Sequence, residues 1–246
     1  MKVLQENAGN GIVILKLNRP EAKNAVDFDV INLLNNYLDE LEKMKDLRFL
    51  IITGQDGVFC SGGDVTAFHK LQTAKEAETM LLPMNRTLQR IKALPCPVIT
   101  FVDGAAVGGG AELASVGDLI YVSPRTSLGF IQGKLALTTG WGGAALTSEK
   151  IGKAETMRLL GSAQKINTEE LLRIGFANGR AENITGVIDQ LNWKTPNSVL
   201  YIYKQHLQSP NLAEEMEREA RYCAACWESE EHHIAVDNFI NKRSSY

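Results

Sequence analysis

The sequence predicts an α/β fold for this chain of 246 residues. Four short runs rich in β-branched residues are typical of buried strands, at residues 11–18, 49–53, 97–102 and 118–123. Stretches with helical spacing of apolar residues separate them, and glycine-rich turns join two of the strands to the next helix. Strands alternating with helices indicate α/β organisation, although this spacing alone fits a doubly wound sheet equally well.

The helices follow from capping residues and apolar periodicity. Asp27 is a good N-cap for a helix that ends near Lys45. A second helical pattern covers residues 65–94, and we expect a break near Pro83. Shorter helices are predicted at residues 111–116, 153–160 and 168–174.

Strand patterns cease at about residue 196, and two amphipathic helices follow. An apolar stripe of this width has to pack on another surface, which is either the core of the same chain or a neighbouring subunit. The apolar positions are Leu212, Met216, Cys223 and Trp227 on one helix, and Ile234, Val236, Phe239 and Ile240 on the other.

Composition and charge exclude several classes of protein. The 26 basic and 29 acidic side chains give a net charge of −3, and no basic run exceeds two residues, so we expect no nucleic-acid partner. The most apolar region, residues 97–123, is interrupted by Asp103, Glu112 and Asp118 and cannot span a bilayer. The first residues lack the pattern of a secretory or transit peptide, so we expect a cytoplasmic protein without a membrane partner.

The cysteines are not predicted to bind a metal. Cys223, Cys226, His232 and His233 lie in a helical stretch, where a spacing of three residues only places side chains on one face. No second cysteine pair accompanies them among the four cysteines of the chain. We therefore expect reduced, buried cysteines and no metal site.

Two glycine turns are the strongest functional signal. Gly108, Gly109 and Gly110 connect a strand to a helix, and Glu112 follows within one turn. The first turn of a helix leaves N–H groups unpaired and carries partial positive charge, so it stabilises an anion. Residues 60–65 form a similar turn, which ends at Asp64. Two such turns can each donate one peptide N–H to a single oxygen, which defines an oxyanion hole.

Residues 58–65 and 103–113 resemble the paired signatures of the crotonase superfamily, also called the enoyl-CoA hydratase/isomerase family. The resemblance continues in residues 17–25 and 140–143 and covers about residues 10–180. It implies a crotonase-like spiral of ββα repeats over residues 1–195, with a C-terminal helical oligomerisation region at 196–246. It also favours a neighbouring subunit as the partner of the terminal helices, in a homotrimer or a dimer of trimers.

The same resemblance implies an acyl-CoA thioester substrate, with coenzyme A as part of the substrate and no separate cofactor. The N–H groups of Gly63 and Gly109 would form the oxyanion hole, and Glu112 would be a catalytic acid or base. Basic residues near the C-terminus, Lys242 and Arg243, are candidates for neutralising the phosphates. The expected contacts to substrate or coenzyme A are Lys23, Ala25, Ser61, Gly62, Asp64, Gly108 and Trp141.

Gln132 is the main departure from the hydratase pattern. Hydratases of the family use a second glutamate as proton donor, and counting back from residues 140–143 places that position on Gln132. An amide cannot exchange a proton with carbon near neutral pH, whereas a tuned carboxyl can. No acid lies between Asp118 and Glu149 to replace it. We predict that Gln132 hydrogen-bonds the substrate or positions Glu112.

Three functions remain open at this point. The first is a lyase with a hydratase-like reaction, in which Glu112 is the single acid or base. The second is a decarboxylase acting on methylmalonyl- or ethylmalonyl-CoA-type thioesters, because loss of carbon dioxide produces the enolate without a base. The third is a catalytically weakened acyl-CoA-binding protein. A dinucleotide-binding enzyme is disfavoured, because residues 104–110 lack the required glycine spacing.

Overall fold

A computed structural model describes residues 1–207 and 211–243, except for the side chains of Glu215, Lys242 and Arg243. The strands, in chain order, are β1 (Val3–Asn7), β2 (Ile12–Leu17), β3 (Phe49–Gly54), β4 (Val58–Cys60), β5 (Val98–Val102), β6 (Ala105–Val107), β7 (Leu119–Val122), β8 (Ser127–Gly129), β9 (Ile166–Asn167) and β10 (Gly179–Arg180). The α-helices are α1 (Phe28–Leu41), α2 (Val65–Phe68), α3 (Ala74–Ala93), α4 (Gly109–Ala114), α5 (Gly143–Ser162), α6 (Thr168–Arg173), α7 (Ile184–Gln190), α8 (Asn197–Leu207), α9 (Leu212–Trp227) and α10 (Glu230–Arg243).

The strands form two sheets, and the chain alternates between them. The larger sheet has the order β1-β2-β3-β5-β7-β10, and the smaller has the order β4-β6-β8-β9. Each of the successive pairs β3–β4, β5–β6 and β7–β8 gives its first strand to the larger sheet and its second to the smaller one, and a helix follows. This arrangement confirms the α/β prediction and its repeated unit of two strands and a helix.

The smaller sheet was not predicted from the sequence. Strands β4, β6 and β8 have three residues each, too few to display an alternating apolar pattern. The four strands that were predicted from β-branched runs are β2, β3, β5 and β7 of the larger sheet, where most positions are buried. The sequence therefore predicts the strands with two covered faces and misses the very short strands and the largely uncovered edge strand β1.

The helix predictions are correct in position but not in every boundary. Asp27 caps α1 by accepting the N–H of Val30, as predicted, and α1 ends at Leu41. The predicted break near Pro83 is wrong, because α3 continues through that residue. The break lies between α2 and α3, where Thr73 and Glu76 form a capping box that starts a new helix.

The terminal helices confirm the predicted helical region. They also show which surface covers the apolar stripe of α9. Met216, Ala220 and Cys223 on α9 are buried within this chain, where α9 packs against α3 and α5. The first apolar stripe is therefore covered by the core of the same chain, and not by a neighbouring subunit. On α10, Ile234 and Ile240 remain exposed. The role of residues 196–246 in oligomerisation stays a prediction.

Asp118 ties three parts of the fold together. Its carboxylate lies 3.0 Å from the Nζ atoms of both Lys92 on α3 and Lys204 on α8, and it accepts the N–H of Val98 on β5 at 2.8 Å. Burial works to raise the pKa of Asp118, but the two lysine charges and the N–H outweigh it and hold the pKa below its usual value. Lys204 is itself 5% exposed, so removal of its counter-charge leaves a buried ammonium group.

We predict that Asp118→Asn lowers the free energy of unfolding by about 3–5 kcal/mol, because it breaks a buried ion pair and leaves cations uncompensated. The measurement is urea unfolding followed by circular dichroism. The matched control is Asp39→Asn, since Asp39 pairs with Arg90 at 2.6 Å with a side chain that is 60% exposed. This control should cost less than about 1 kcal/mol. Equal losses in the two variants would contradict the structural role of Asp118.

Candidate active site

The two glycine turns meet because β4 and β6 are neighbouring parallel strands. Parallel strands end at the same edge of a sheet, so the turns that follow them, at residues 61–63 and 108–109, lie side by side. A Cβ atom built on Gly62 would lie only 3.2 Å from the amide nitrogen of Gly109. Pairing in the smaller sheet therefore explains how segments 45 residues apart share one site: 108 − 63 = 45.

The amides of Gly63 and Gly109 donate no hydrogen bond to any of the residues that the structure describes. Their neighbours are engaged, since Asp64 donates to the carbonyl of Val26 and Gly108 to that of Gly129. The ring of Trp141 borders both glycines, and a side chain at Gly109 would overlap it. Two peptide donors are thus free for a ligand oxygen, which is the condition that the oxyanion-hole prediction requires.

Glu112 is buried in α4, one turn beyond Gly109, with 2% of its surface exposed. Four donors surround its carboxylate: Gln132 Nε2 at 2.8 Å, Gly140 N at 3.3 Å, Trp141 N at 2.8 Å and Gly143 N at 2.9 Å. Three of the four are main-chain amides of one loop. A carboxylate in this position therefore also fixes the path of that loop.

Two causes raise the pKa of Glu112 to about 7. Burial is the larger, and the negative charge of Glu219 on α9 is the second, while the amides of Gly143, Trp141 and Gly140 oppose both. A carboxyl group with this pKa is present in both protonation states near neutral pH. It is therefore suited to give or take a proton during a reaction.

Gln132 begins a 3-10 turn (Gln132–Leu135) that faces α4. Its Nε2 atom donates to Glu112, which is the contact expected if Gln132 positions the acid. Its Oε1 atom is buried without a partner among the described residues. Because Gln132 lines the cavity, this oxygen is available to accept a hydrogen bond from a ligand or a water molecule.

The eleven residues predicted as acid, oxyanion hole or contacts to substrate and coenzyme A line one cavity of about 1260 Å³. The loop that contains Lys23 and Ala25 is joined to the first glycine turn, where Ser61 donates its N–H to the carbonyl of Lys23. Asp64 has a structural use, since its carboxylate binds Arg19 at 2.9 Å and caps α2. The other predicted residues on the wall are Gly62, Gly63, Gly108, Gly109, Glu112, Gln132 and Trp141. Their roles toward a substrate stay predictions.

The C-terminal helices contribute residues that the sequence analysis did not assign. Glu219 on α9 binds the start of α5, next to the loop that holds Glu112. His232 and His233 on α10 line the cavity. The sequence does contain a signal for Glu219, because an acidic residue lies on the apolar stripe of the helix, three residues after Met216. The side chains of Lys242 and Arg243, proposed for phosphate binding, lie outside the described residues.

No group of three or more His, Cys, Asp or Glu side chains in the described part of the chain is arranged to hold a metal ion. Cys60, Cys96 and Cys223 are free and buried, whereas Cys226 is only half-buried. Burial raises the pKa of the Cys60 thiol to about 12, so this residue near the first glycine turn is not a nucleophile at neutral pH. Within residues 1–207 and 211–243, no helix combines the length and the apolar character needed to cross a membrane.

Comparison with curated proteins finds several ethylmalonyl-CoA decarboxylases. The protein from Gallus gallus is 34% identical over 187 residues, which are 72% of this chain and 63% of that protein. The protein from Homo sapiens is 32% identical over 68% of this chain and 54% of its own length. The match to the Xenopus laevis protein is 28% identical and covers 89% of this chain and 76% of the relative. This chain thus spans between half and two thirds of the first two relatives.

Solved structures share the whole fold. An enoyl-CoA hydratase from Bacillus halodurans superimposes with a TM-score of 0.87 at 20% identity and covers 97% of this chain and 100% of its own. An enoyl-CoA hydratase from Thermoplasma volcanium gives a TM-score of 0.79 at 26% identity, over 98% of this chain and 97% of its own. These matches confirm the predicted crotonase-like fold with its C-terminal helices. Because the model of the enoyl-CoA hydratase/isomerase family also matches residues 7–245, the chain belongs to that family.

Proposed function

We propose that this protein is a decarboxylase of malonyl-type CoA thioesters, with a 2-alkylmalonyl-CoA such as ethylmalonyl-CoA as substrate. The observation that carries the proposal is the pair formed by Glu112 and Gln132, in which one titratable carboxyl bonds an amide. A reaction that needs one proton donor and no base fits this pair. The names of the curated relatives support the same reaction class.

The first step breaks the bond between the α-carbon and the free carboxylate of the substrate. The electron pair of that bond moves into the thioester, carbon dioxide leaves, and negative charge develops on the thioester oxygen. The N–H groups of Gly63 and Gly109 stabilise that oxygen in the proposed hole. One such donor contributes about 3–4 kcal/mol to the stabilisation of the transition state in comparable sites.

The second step returns a proton to the α-carbon. Protonated Glu112 gives its proton to the enolate, and the resulting carboxylate is stabilised by the amides of Gly140, Trp141 and Gly143. Solvent then reprotonates Glu112, so each turnover consumes one proton. Coenzyme A enters as part of the substrate, and the scheme uses no separate cofactor.

Hydration of an enoyl-CoA is the second candidate. The similarity to the enoyl-CoA hydratase from Thermoplasma volcanium favours it, and the unpartnered Oε1 of Gln132 offers an acceptor for a water molecule. Hydration also requires a proton donor for the α-carbon while Glu112 activates the water, and Gln132 cannot supply that proton. We therefore place it behind decarboxylation, with non-catalytic acyl-CoA binding as the third outcome. The trimer or dimer of trimers and the cytoplasmic location remain part of this proposal.

The substrate test compares two thioesters on the same preparation. We predict that the protein releases carbon dioxide from ethylmalonyl-CoA and forms butyryl-CoA. The reaction is monitored by mass spectrometry of the thioester. Crotonyl-CoA should be hydrated at least about 100-fold more slowly, because general acid catalysis by a second carboxyl is missing. Fast hydration of crotonyl-CoA without decarboxylation would contradict the proposal in favour of a hydratase, and tight binding of both without turnover would indicate a binding protein.

The oxyanion hole is tested best at Gly63. We predict that Gly63→Pro lowers kcat by about 100- to 1000-fold, because proline has no N–H to donate. Gly63→Ala is the control, since it keeps the donor and its Cβ would lie 3.3 Å from the ring of Phe68 and 3.7 Å from that of Trp141, so the strain is small. A substitution at Gly109 is less informative, because any Cβ there overlaps Trp141. Equal activities of the proline and alanine variants would show that the amide of Gly63 is not part of the oxyanion hole.

We predict that Glu112→Gln lowers kcat by about 100-fold or more, through loss of the proton donor. In the unsubstituted protein, kcat should fall about tenfold per pH unit above the pKa of about 7, because only protonated Glu112 delivers the proton. The measurement is a pH profile of decarboxylation. A kcat that rises with pH through this range would instead indicate that ionised Glu112 acts as a base.

The control for folding is Glu155→Gln, at a half-buried side chain that pairs with Arg158.

A linked measurement of stability needs no substrate. The pKa of Glu112 is raised from an ordinary 4.5 to about 7, so between these values the folded chain holds a proton that the unfolded chain has lost. The contribution of Glu112 to the free energy of unfolding is therefore fully present below about pH 4.5, and it is lost as the pH rises to about 7. Glu112→Gln should abolish this decline.

A further inference from the structure

The loop that holds Glu112 leads directly into α5, and that helix lacks a cap of its own. Gly142 occupies the N-cap position of α5 with φ of +102°, and it has no side chain to accept the first amides of the helix. Unpaired amides at a buried helix start are costly, so another part of the chain must bind them.

Glu219 on α9 supplies these acceptors. Its Oε2 atom accepts the Oγ1–H of Thr139 at 2.6 Å and the N–H of Ala144 at 3.0 Å, and its Oε1 atom accepts the N–H of Ala145. Glu112 binds the amides of residues 140, 141 and 143 in the same segment. Between them, the two carboxylates therefore bind five main-chain amides of this segment and the hydroxyl of Thr139.

Two glycines allow α9 to reach this position. A Cβ on Gly140 would lie 2.9 Å from Cys223 Sγ, and a Cβ on Gly142 would lie 2.5 Å from Met216 Cγ. Met216 and Cys223 are on the same stripe of α9 as Glu219, at a spacing of three and four residues. Close packing of α9 on the loop thus brings Glu219 to the start of α5.

This arrangement places a second negative charge near Glu112. The charge of Glu219 raises the pKa of Glu112, after burial as the larger cause. Cys223 also faces Glu112 from α9, but burial raises the pKa of its thiol so far that it stays neutral. From the 3-10 turn, Gln132 is a neutral amide, and the start of α5 presents only main-chain amides. Among the described residues, Glu219 is therefore the charged group that acts on Glu112.

We propose that Glu219 is a positioning residue for Glu112: it fixes the loop that binds Glu112, and its negative charge favours the protonated form of Glu112. The C-terminal helix α9 would in this way control an acid more than 100 residues earlier in the chain (219 − 112 = 107). The kinetic consequence rests on the function proposed above. The effect on the protonation of Glu112 does not.

Glu219→Gln removes the negative charge and keeps the shape of the side chain. Its single oxygen accepts the N–H of only one of Ala144 and Ala145, and its NH2 group faces the other, so part of the anchoring of α5 is lost with the charge. We expect the protonation midpoint of Glu112 to move to lower pH by about half a pH unit or more. The measurement is a ¹³C NMR titration of protein labelled at glutamate carboxyls, with the Glu112 signal assigned by its loss in Glu112→Gln. The pH at which kcat begins to fall should move down by the same amount, with little change in KM.

Glu217→Gln is the matched control, because Glu217 lies on the same helix and pairs with Arg221 through a side chain that is 44% exposed. Its substitution should leave the midpoint of Glu112 unchanged. Glu219→Ala removes charge and position together, so kcat should fall about tenfold or more below the glutamine variant because the loop loses its acceptors. If the alanine variant does not fold, the glutamine variant still decides the charge effect.

A midpoint that stays in place or rises in Glu219→Gln overturns the inference. A midpoint that moves down in a protein inactive toward ethylmalonyl-CoA contradicts the proposed function and supports the role of Glu219. An active protein whose midpoint does not move contradicts the role of Glu219 alone. The two failures are therefore distinguishable.

Discussion

Burial of one carboxylate, that of Glu112, is the constraint on which the site depends. A charged group removed from water needs hydrogen-bond donors on every side. Helix α4 cannot supply them, so they come from Gln132 and from the main chain of residues 140–143. The position of that loop also fixes Trp141, whose ring lies against both glycines of the predicted hole. The acid and the predicted oxyanion hole are thus joined through one loop, by hydrogen bonds at Glu112 and by packing of the Trp141 ring on the two glycines.

The tight fit around Glu112 extends beyond its hydrogen bonds. A Cβ on Gly143 would lie 2.5 Å from Glu112 Cγ, and one on Gly109 would overlap the ring of Trp141. Glycine is required at these positions because another group occupies the space of a side chain. The glycines of this site therefore serve two purposes: Gly63 and Gly109 carry amides that donate to no described residue, while Gly109, Gly140, Gly142 and Gly143 let neighbouring elements approach.

The sequence predicts those parts of the molecule that have a local signal. The buried strands β2, β3, β5 and β7, the cap at Asp27 and the acid at Glu112 all follow from neighbouring residues. The smaller sheet could not be predicted, because β4 and β6 are three residues long and exist through pairing with each other. Glu219 was missed for a similar reason, since its contacts join α9 to residues more than 70 positions earlier (219 − 145 = 74). Long-range contacts leave no periodic pattern in a single sequence.

The location of Glu219 affects how the acid of this site could change during evolution. Substitution of Glu112 or Gln132 alters groups that bond each other directly, and it disturbs the loop and the cavity together. The charge of Glu219 acts on the same carboxyl through space and through the start of α5, and Glu219 itself does not line the cavity. Cys223 and Trp227 of the same helix do line it, so most changes in α9 alter the shape of the cavity as well. Proton affinity and cavity shape are therefore coupled through α9, and position 219 is the place on this helix where the protonation of Glu112 can change with least effect on the cavity wall.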